Sequence, residues 1–123
     1  MASDRWVRLD VNYFGNPKIR AAGRDARDLH LASICFVGRY MTDGYIAPDV
    51  VEDIARDARV TRRVLVTAIG SVVDAGLWIP NGEGFELHDY LAMNPTRAEV
   101  EKSKQLFRDR QKRYRDRQKG YDE

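Results

Sequence analysis

The sequence predicts a mainly α-helical fold with a small β wing, followed by a long basic C-terminal helix. Three observations carry this expectation. Apolar residues recur at three- to four-residue steps through most of residues 25–75. Two short extended segments then flank the glycine-rich turn NGEG, residues 81–84. From Thr96 onward no helix breaker occurs before Gly120, and the charge of the chain becomes strongly positive.

In WVRLDVNYF, residues 6–14, Val7, Leu9 and Val11 alternate imperfectly with Trp6, Arg8 and Asp10, which suits a short strand or an extended arm laid on the body. Asn16 is placed to cap a helix, and Pro17 fits its first position, where the missing N–H costs nothing. A two-turn helix stopping near Gly23 follows from this. A longer helix is expected from about Asp25 to Met41, with Ala26, Leu29, Ser33, Phe36, Val37 and Tyr40 along one face. Asp43-Gly44 reads as a turn, Tyr45-Ile46 as a very short strand, and Pro48 as the restart of a helix burying Val51, Ile54, Ala55 and Ala58. Thr61 is positioned to cap the next helix. Its apolar face holds Val64, Leu65, Ala68, Ile69, Val72 and Val73, and Gly76 closes it.

Leu77 to Ile79 and Phe85 to Leu87 then form a hairpin around NGEG. The order helix, short strand, helix, helix, strand, turn, strand lets three helices share a core while a small sheet covers one edge, the winged helix-turn-helix arrangement. The expected division is a winged-helix domain with an N-terminal arm over residues 1–95, a basic helix over 96–120 and a short tail over 121–123. Thr96 and Glu99 form a capping box reinforced by Pro95, and a helix of roughly 23 residues is expected from there. Val100, Ser103, Leu106 and Phe107 are expected to lie against the body.

A chain of 123 residues accommodates one domain plus an appendage. No apolar run is long enough to span a bilayer, and MASDRWVRLD is too charged for a secretory signal, so the cytoplasm is the expected location and no membrane partner is expected. The single cysteine, Cys35, excludes an internal disulfide, and its neighbours ASICFVG suggest a buried small hydrophobe. His30 reads as a helix surface or boundary residue and His88 as a packed or capping one. Neither has a Cys or Glu at metal-ligand spacing, so no metal and no cofactor are expected. Carboxylates at helical spacing are ordinary on a charged surface, and the glycines assemble no phosphate-binding loop. Catalysis is not expected.

Charge divides sharply along the chain. Residues 1–96 hold 11 Lys or Arg against 13 Asp or Glu, a balance of −2, whereas residues 97–119 hold 10 against 4, a balance of +6. Attraction to phosphate is therefore concentrated in the last helix. RDRQK occurs there at 108–112 and again at 115–119, with Phe107, Tyr114 and Tyr121 at the same seven-residue separation. Arg108, Arg110, Lys112, Arg113, Arg115, Arg117 and Lys119 are the expected phosphate contacts. Val100, Phe107, Tyr114 and Tyr121 form a slowly turning stripe that suits a partner. Asp109 with Arg113, and Lys112 with Asp116, stand four apart and can pair along the helix. In the helix from Thr61, the outward positions are Arg62, Arg63, Thr67, Gly70 and Ser71. Of these, Arg62, Arg63, Thr67 and Ser71 can reach phosphates or base edges in a major groove. The hairpin carries Glu83 and Glu86 and no cation, which would repel phosphate.

WVRLDVNYFGNPKI, ARDLHLASICFVGRYMTDGYI, RRV within the helix, GLW, and FELHDYLAMNPTRAEVE followed by a basic run resemble the N-terminal region of phage and prophage helix-turn-helix proteins of actinobacterial hosts. Those are similar in style to phage replisome organisers and replication-initiation proteins. The resemblance implies a non-catalytic DNA-binding protein of a phage or prophage, in a bacterial host cell, serving replication initiation or transcription regulation. A different class of function stays open beside it: a protein-interaction module built on the same core, holding a second copy, a replication protein or a host factor.

Overall fold

The structure is a computed structural model that describes residues 5–122, the last two by their backbone only. It is mainly helical with a small three-stranded antiparallel sheet. An extended arm over residues 5–10 leads into a 3₁₀ turn at Tyr13–Gly15 and then α1, Pro17–Ala22. The arm forms no strand. Asn16 caps α1 as the sequence suggests, its side-chain oxygen accepting from the Lys18 N–H at 2.9 Å. Next come α2 (Arg24–Tyr40), β1 (Tyr45–Ile46), a 3₁₀ turn at Pro48–Val50, α3 (Val51–Ala58) and α4 (Arg62–Asp74). The chain continues with β2 (Trp78–Asn81), β3 (Gly84–Leu87), a short helix α5 (Tyr90–Met93) and the 26-residue α6 (Arg97–Asp122).

Strand β3 lies between β1 and β2. Trp78 faces Leu87 and Asn81 faces Gly84 across the hairpin, while Tyr45 faces Glu86 across the β1 pairing. Only Gly82 and Glu83 remain in the loop, so the strands extend further into NGEG than expected. Gly82 has a φ of 61°, and a positive φ at the first central residue alone is the type II′ pattern that matches strand twist. Gly84 is required for another reason: a Cβ there would collide with the Ile46 carbonyl of β1.

Three helices end by one device. Beyond α2, α3 and α4, an N–H reaches back five residues to a carbonyl, Thr42 to Val37, Val60 to Ala55 and Leu77 to Val72. The residue before each donor is left-handed: Met41 at φ 54°, Arg59 at φ 60° and Gly76 at φ 74°. The stop at Gly76 agrees with the sequence reading. The other two use side-chain-bearing residues in a conformation that disfavours them. Thr61 precedes α4 in an extended conformation, but its hydroxyl makes no capping bond.

Leu29, Val37, Ile46, Ile54, Val72 and Trp78 are fully buried, joining α2, α3, α4 and the sheet into one core. Two core polar groups are satisfied in sequence. Trp78 Nε1 donates to Ser33 Oγ at 3.0 Å, and Ser33 Oγ donates to the His30 carbonyl at 2.6 Å. His30 itself is buried rather than at the helix surface, because the Tyr13 turn folds over it: the rings stack and Tyr13 Oη lies 2.7 Å from Nδ1. Cys35 is exposed, not buried. It sits about 200° around α2 from the buried Ser33, so it faces away from the core. Tyr40 is also exposed, at the last position of the same helix.

The last helix departs most from expectation. Glu99 N–H does donate to Thr96 Oγ1 at 3.1 Å, half of the capping box, and Asp43 adds a cap from the body by accepting from the Arg97 N–H at 2.7 Å. Only the first turns touch the body, with Val100 half-buried. Leu106 and Phe107 are 48% and 59% exposed and do not pack on it. Gly120 does not stop the helix, which continues to Asp122. One glycine in an exposed helix costs only about 1 kcal/mol and cannot by itself end a long one.

Candidate nucleic-acid interface

Two cationic surfaces stand out, one on α4 and one on α6. Helix α4 buries Leu65, Ala68 and Val72 against α2, and the tight turn Arg59–Thr61 sets its start immediately after α3. Its outward side therefore presents Arg63, Val66, Thr67 and Gly70, all exposed. Space above Gly70 is open. No acid occupies the first turn of α4, so Arg62 and Arg63 add to the positive end of the helix dipole instead of neutralising it.

Arg62 is not free. Its guanidinium lies 3.4 Å from Glu52 Oε2 on α3, with both side chains well exposed. An ion pair in water contributes about 0–1 kcal/mol, so exchanging Glu52 for a phosphate costs little. Ser71 is half-buried on the flank of α4, less available than Thr67. Two contributors escape the sequence reading. Val66 is 79% exposed although its apolar neighbours are inward. Arg59 is exposed on the left-handed turn beside the start of α4, a position visible only once the turn geometry is known.

Arg108, Arg110, Lys112, Arg113, Arg115, Arg117 and Lys119 are all exposed along α6. The pairs Asp109 with Arg113 and Lys112 with Asp116 are not closed. Asp109 instead accepts from Gln105 Nε2 at 3.0 Å, and the ion pair formed on α6 among the described residues is Arg97 with Glu101 at 3.0 Å. The seven distal cations thus have no acidic partner among the described residues. An open groove along the helix is lined by Phe107, Arg110, Gln111, Tyr114, Arg115 and Arg117. The Tyr121 side chain, expected to extend the aromatic stripe, lies outside the described residues.

The hairpin repeats the charge problem seen in sequence, since Glu83 and Glu86 are both exposed. His88 is exposed rather than packed, and its Nε2 lies 3.2 Å from Asp89 Oδ2. Among the described residues no group of three His, Cys, Asp or Glu side chains converges to hold a metal, and no helix is long and apolar enough to cross a membrane. Comparison with protein-family models, curated proteins and solved structures gives no match.

The cavity between the arm and the body is of another character. It is lined by Tyr13, Ile19, His30, Ile34, Leu77 and Leu87 among others. Burial pushes the His30 ring down to about 4 and the Tyr13 phenol up to about 12, for Tyr13 with Arg27 opposing and Asp28 adding to the rise. Both shifts favour the neutral forms. With Nδ1 unprotonated, the phenol donates to it, and the pair is a neutral packing contact between the first turn and α2 rather than an acid–base couple.

Proposed function

We propose that this chain is a non-catalytic, DNA-binding winged helix-turn-helix protein of a phage or prophage, serving replication initiation or transcription regulation. The observation that carries the reading is the α3–turn–α4 unit, whose second helix turns an exposed face bearing Arg63 and Thr67 away from the core. The order of elements and the hairpin after α4 support the winged helix. In this reading α4 lies in the major groove, with Arg62 and Arg63 on guanine or phosphate and Thr67 and Ser71 at a base edge or the backbone. Helix α6 adds phosphate contacts. The acidic hairpin stays off the DNA.

Anisotropy titration of the whole chain with a labelled duplex, between about 50 and about 200 mM salt, tests this. Each phosphate neutralised contributes about −0.9 to the slope of log K against log salt, so four to seven contacts predict roughly −4 to −6. Arg63→Ala weakens binding to any duplex, and no duplex binding at the lower salt defeats the proposal. A second reading, a module that holds another protein chain, is favoured by the uncovered Phe107 and Tyr114, at 59% and 60% exposure. Under it the protein sediments as an assembly, and reversing the charge of Arg113 and Arg115 leaves duplex affinity intact.

A further inference from the structure

Helix α6 sorts its side chains by face. At about 100° per residue, Phe107, Arg110, Gln111, Tyr114, Arg117 and Gln118 fall on one side, and Asp109 and Asp116 on the opposite side. The groove along the aromatic face accordingly contains rings, guanidinium groups and one amide, and no carboxylate. Solubility alone gives no reason to segregate acids from aromatics, and the acids are not held there by closed ion pairs with Arg113 or Lys112. The face is built for an anion that also offers flat apolar surfaces.

We infer that this face of α6 binds single-stranded nucleic acid, with Phe107 and Tyr114 stacking on bases and Arg110, Arg115 and Arg117 on the phosphates between and beside them. A single strand presents both features at once, whereas a duplex hides its base faces within the stack and leaves only phosphates for such a surface. Seven residues of helix separate the two rings by about 10 Å, room for a guanidinium between two stacked positions. A second copy of the chain is a poor occupant, because it brings its own +6 segment against this one and places Arg110 and Arg117 where a paired helix needs apolar side chains. A lipid surface needs a broader apolar sector than two rings. This site does not depend on the α4 reading, and either can fail alone.

The test uses the whole protein with labelled oligo-dT and, separately, a labelled hairpin duplex at one salt concentration. Phe107→Leu and Tyr114→Leu, both good helix formers, should each lower single-strand affinity about 5- to 150-fold and alter duplex affinity by no more than about twofold. Arg63→Ala should do the reverse. Phe107→Trp and Tyr114→Trp should keep single-strand affinity, and the new indole at 114 should be quenched by oligo-dT. Far-UV circular dichroism of each variant checks that α6 is intact. Parallel weakening of both ligands by the Leu variants, unquenched Trp at 114, or binding to anionic vesicles or polyglutamate without binding to oligo-dT overturns the inference.

Discussion

Acidification should destabilise this fold through His30 before general acid unfolding sets in. The ring is 7% exposed, stacked on Tyr13 and hydrogen-bonded to its hydroxyl, and burial lowers its pKa from 6.5 to about 4. A depressed folded value means that the unfolded chain takes up the proton first as pH falls. Stability from this group is therefore complete above about pH 7, declines from about 6.5, and levels off below about 4, where both states are protonated. The loss is about 2 kcal/mol at pH 5 and about 3 kcal/mol at the acid limit. Protonation also requires Nδ1 to donate, so the Tyr13 hydroxyl must turn toward the Arg27 carbonyl, 3.5 Å away. Urea unfolding of the wild type and of His30→Gln at pH 7, 6 and 5 isolates the effect, because an amide oxygen can accept from Tyr13 without titrating. The stability gap between the two proteins should narrow by about 2 kcal/mol from pH 7 to pH 5. A gap that stays constant, or a His30 ring signal that titrates near 6.5 in the folded protein, refutes the reasoning.

Two further outcomes follow from the core and the turns. Ser33→Ala removes the acceptor of the fully buried Trp78 Nε1 and should cost about 1–3 kcal/mol in urea unfolding, with a cost under about 0.5 kcal/mol counting against that bond. Arg59→Gly relieves a left-handed residue at φ 60° and should raise stability by about 0.5–1 kcal/mol after the added chain entropy of glycine is subtracted; a lower unfolding midpoint would refute it.

Element order from α1 to β3 was readable because its signals are local, whereas α5 has no such mark. Asn16-Pro17, Asp43-Gly44, Pro48 and Gly76 each mark a boundary through their own backbone chemistry, and all four fall where the chain turns. Met41 and Arg59 carry no such mark, so the left-handed ends of α2 and α3 are set by the i−5 hydrogen bonds and the packing beyond them. Cys35 is misplaced by its apolar neighbours in sequence, because exposure follows the angle around the helix and not local apolarity. His30 could not be placed without knowing that the Tyr13 turn folds back over α2, a contact 17 residues apart. For the candidate site, the run of exposed cations on α6 was legible, and Phe107 and Tyr114 do share one face of it. That α6 would leave the body after Val100 was not, because an amphipathic pattern says which face is apolar and nothing about what covers it.

Gly38 shows what such a pattern can conceal. A glycine inside a helix costs about 1 kcal/mol relative to Ala, so it invites a reason. The reason here is the arm: a Cβ at Gly38 would collide with Val7, and Arg5 donates to the carbonyls of Gly38 and Arg39. Arg8 N–H donates to Asn94 Oδ1, Asn94 returns to the Tyr90 carbonyl, and the Tyr90 ring rests on Gly44. One residue before Gly44, Asp43 caps α6. Arm, α5 and the root of α6 are therefore fixed to one corner at the end of α2. That corner sets the direction in which α6 leaves the core, and with it the distance between the α4 face and the aromatic face of α6. A nucleic acid engaging both must accept a spacing imposed by these few contacts.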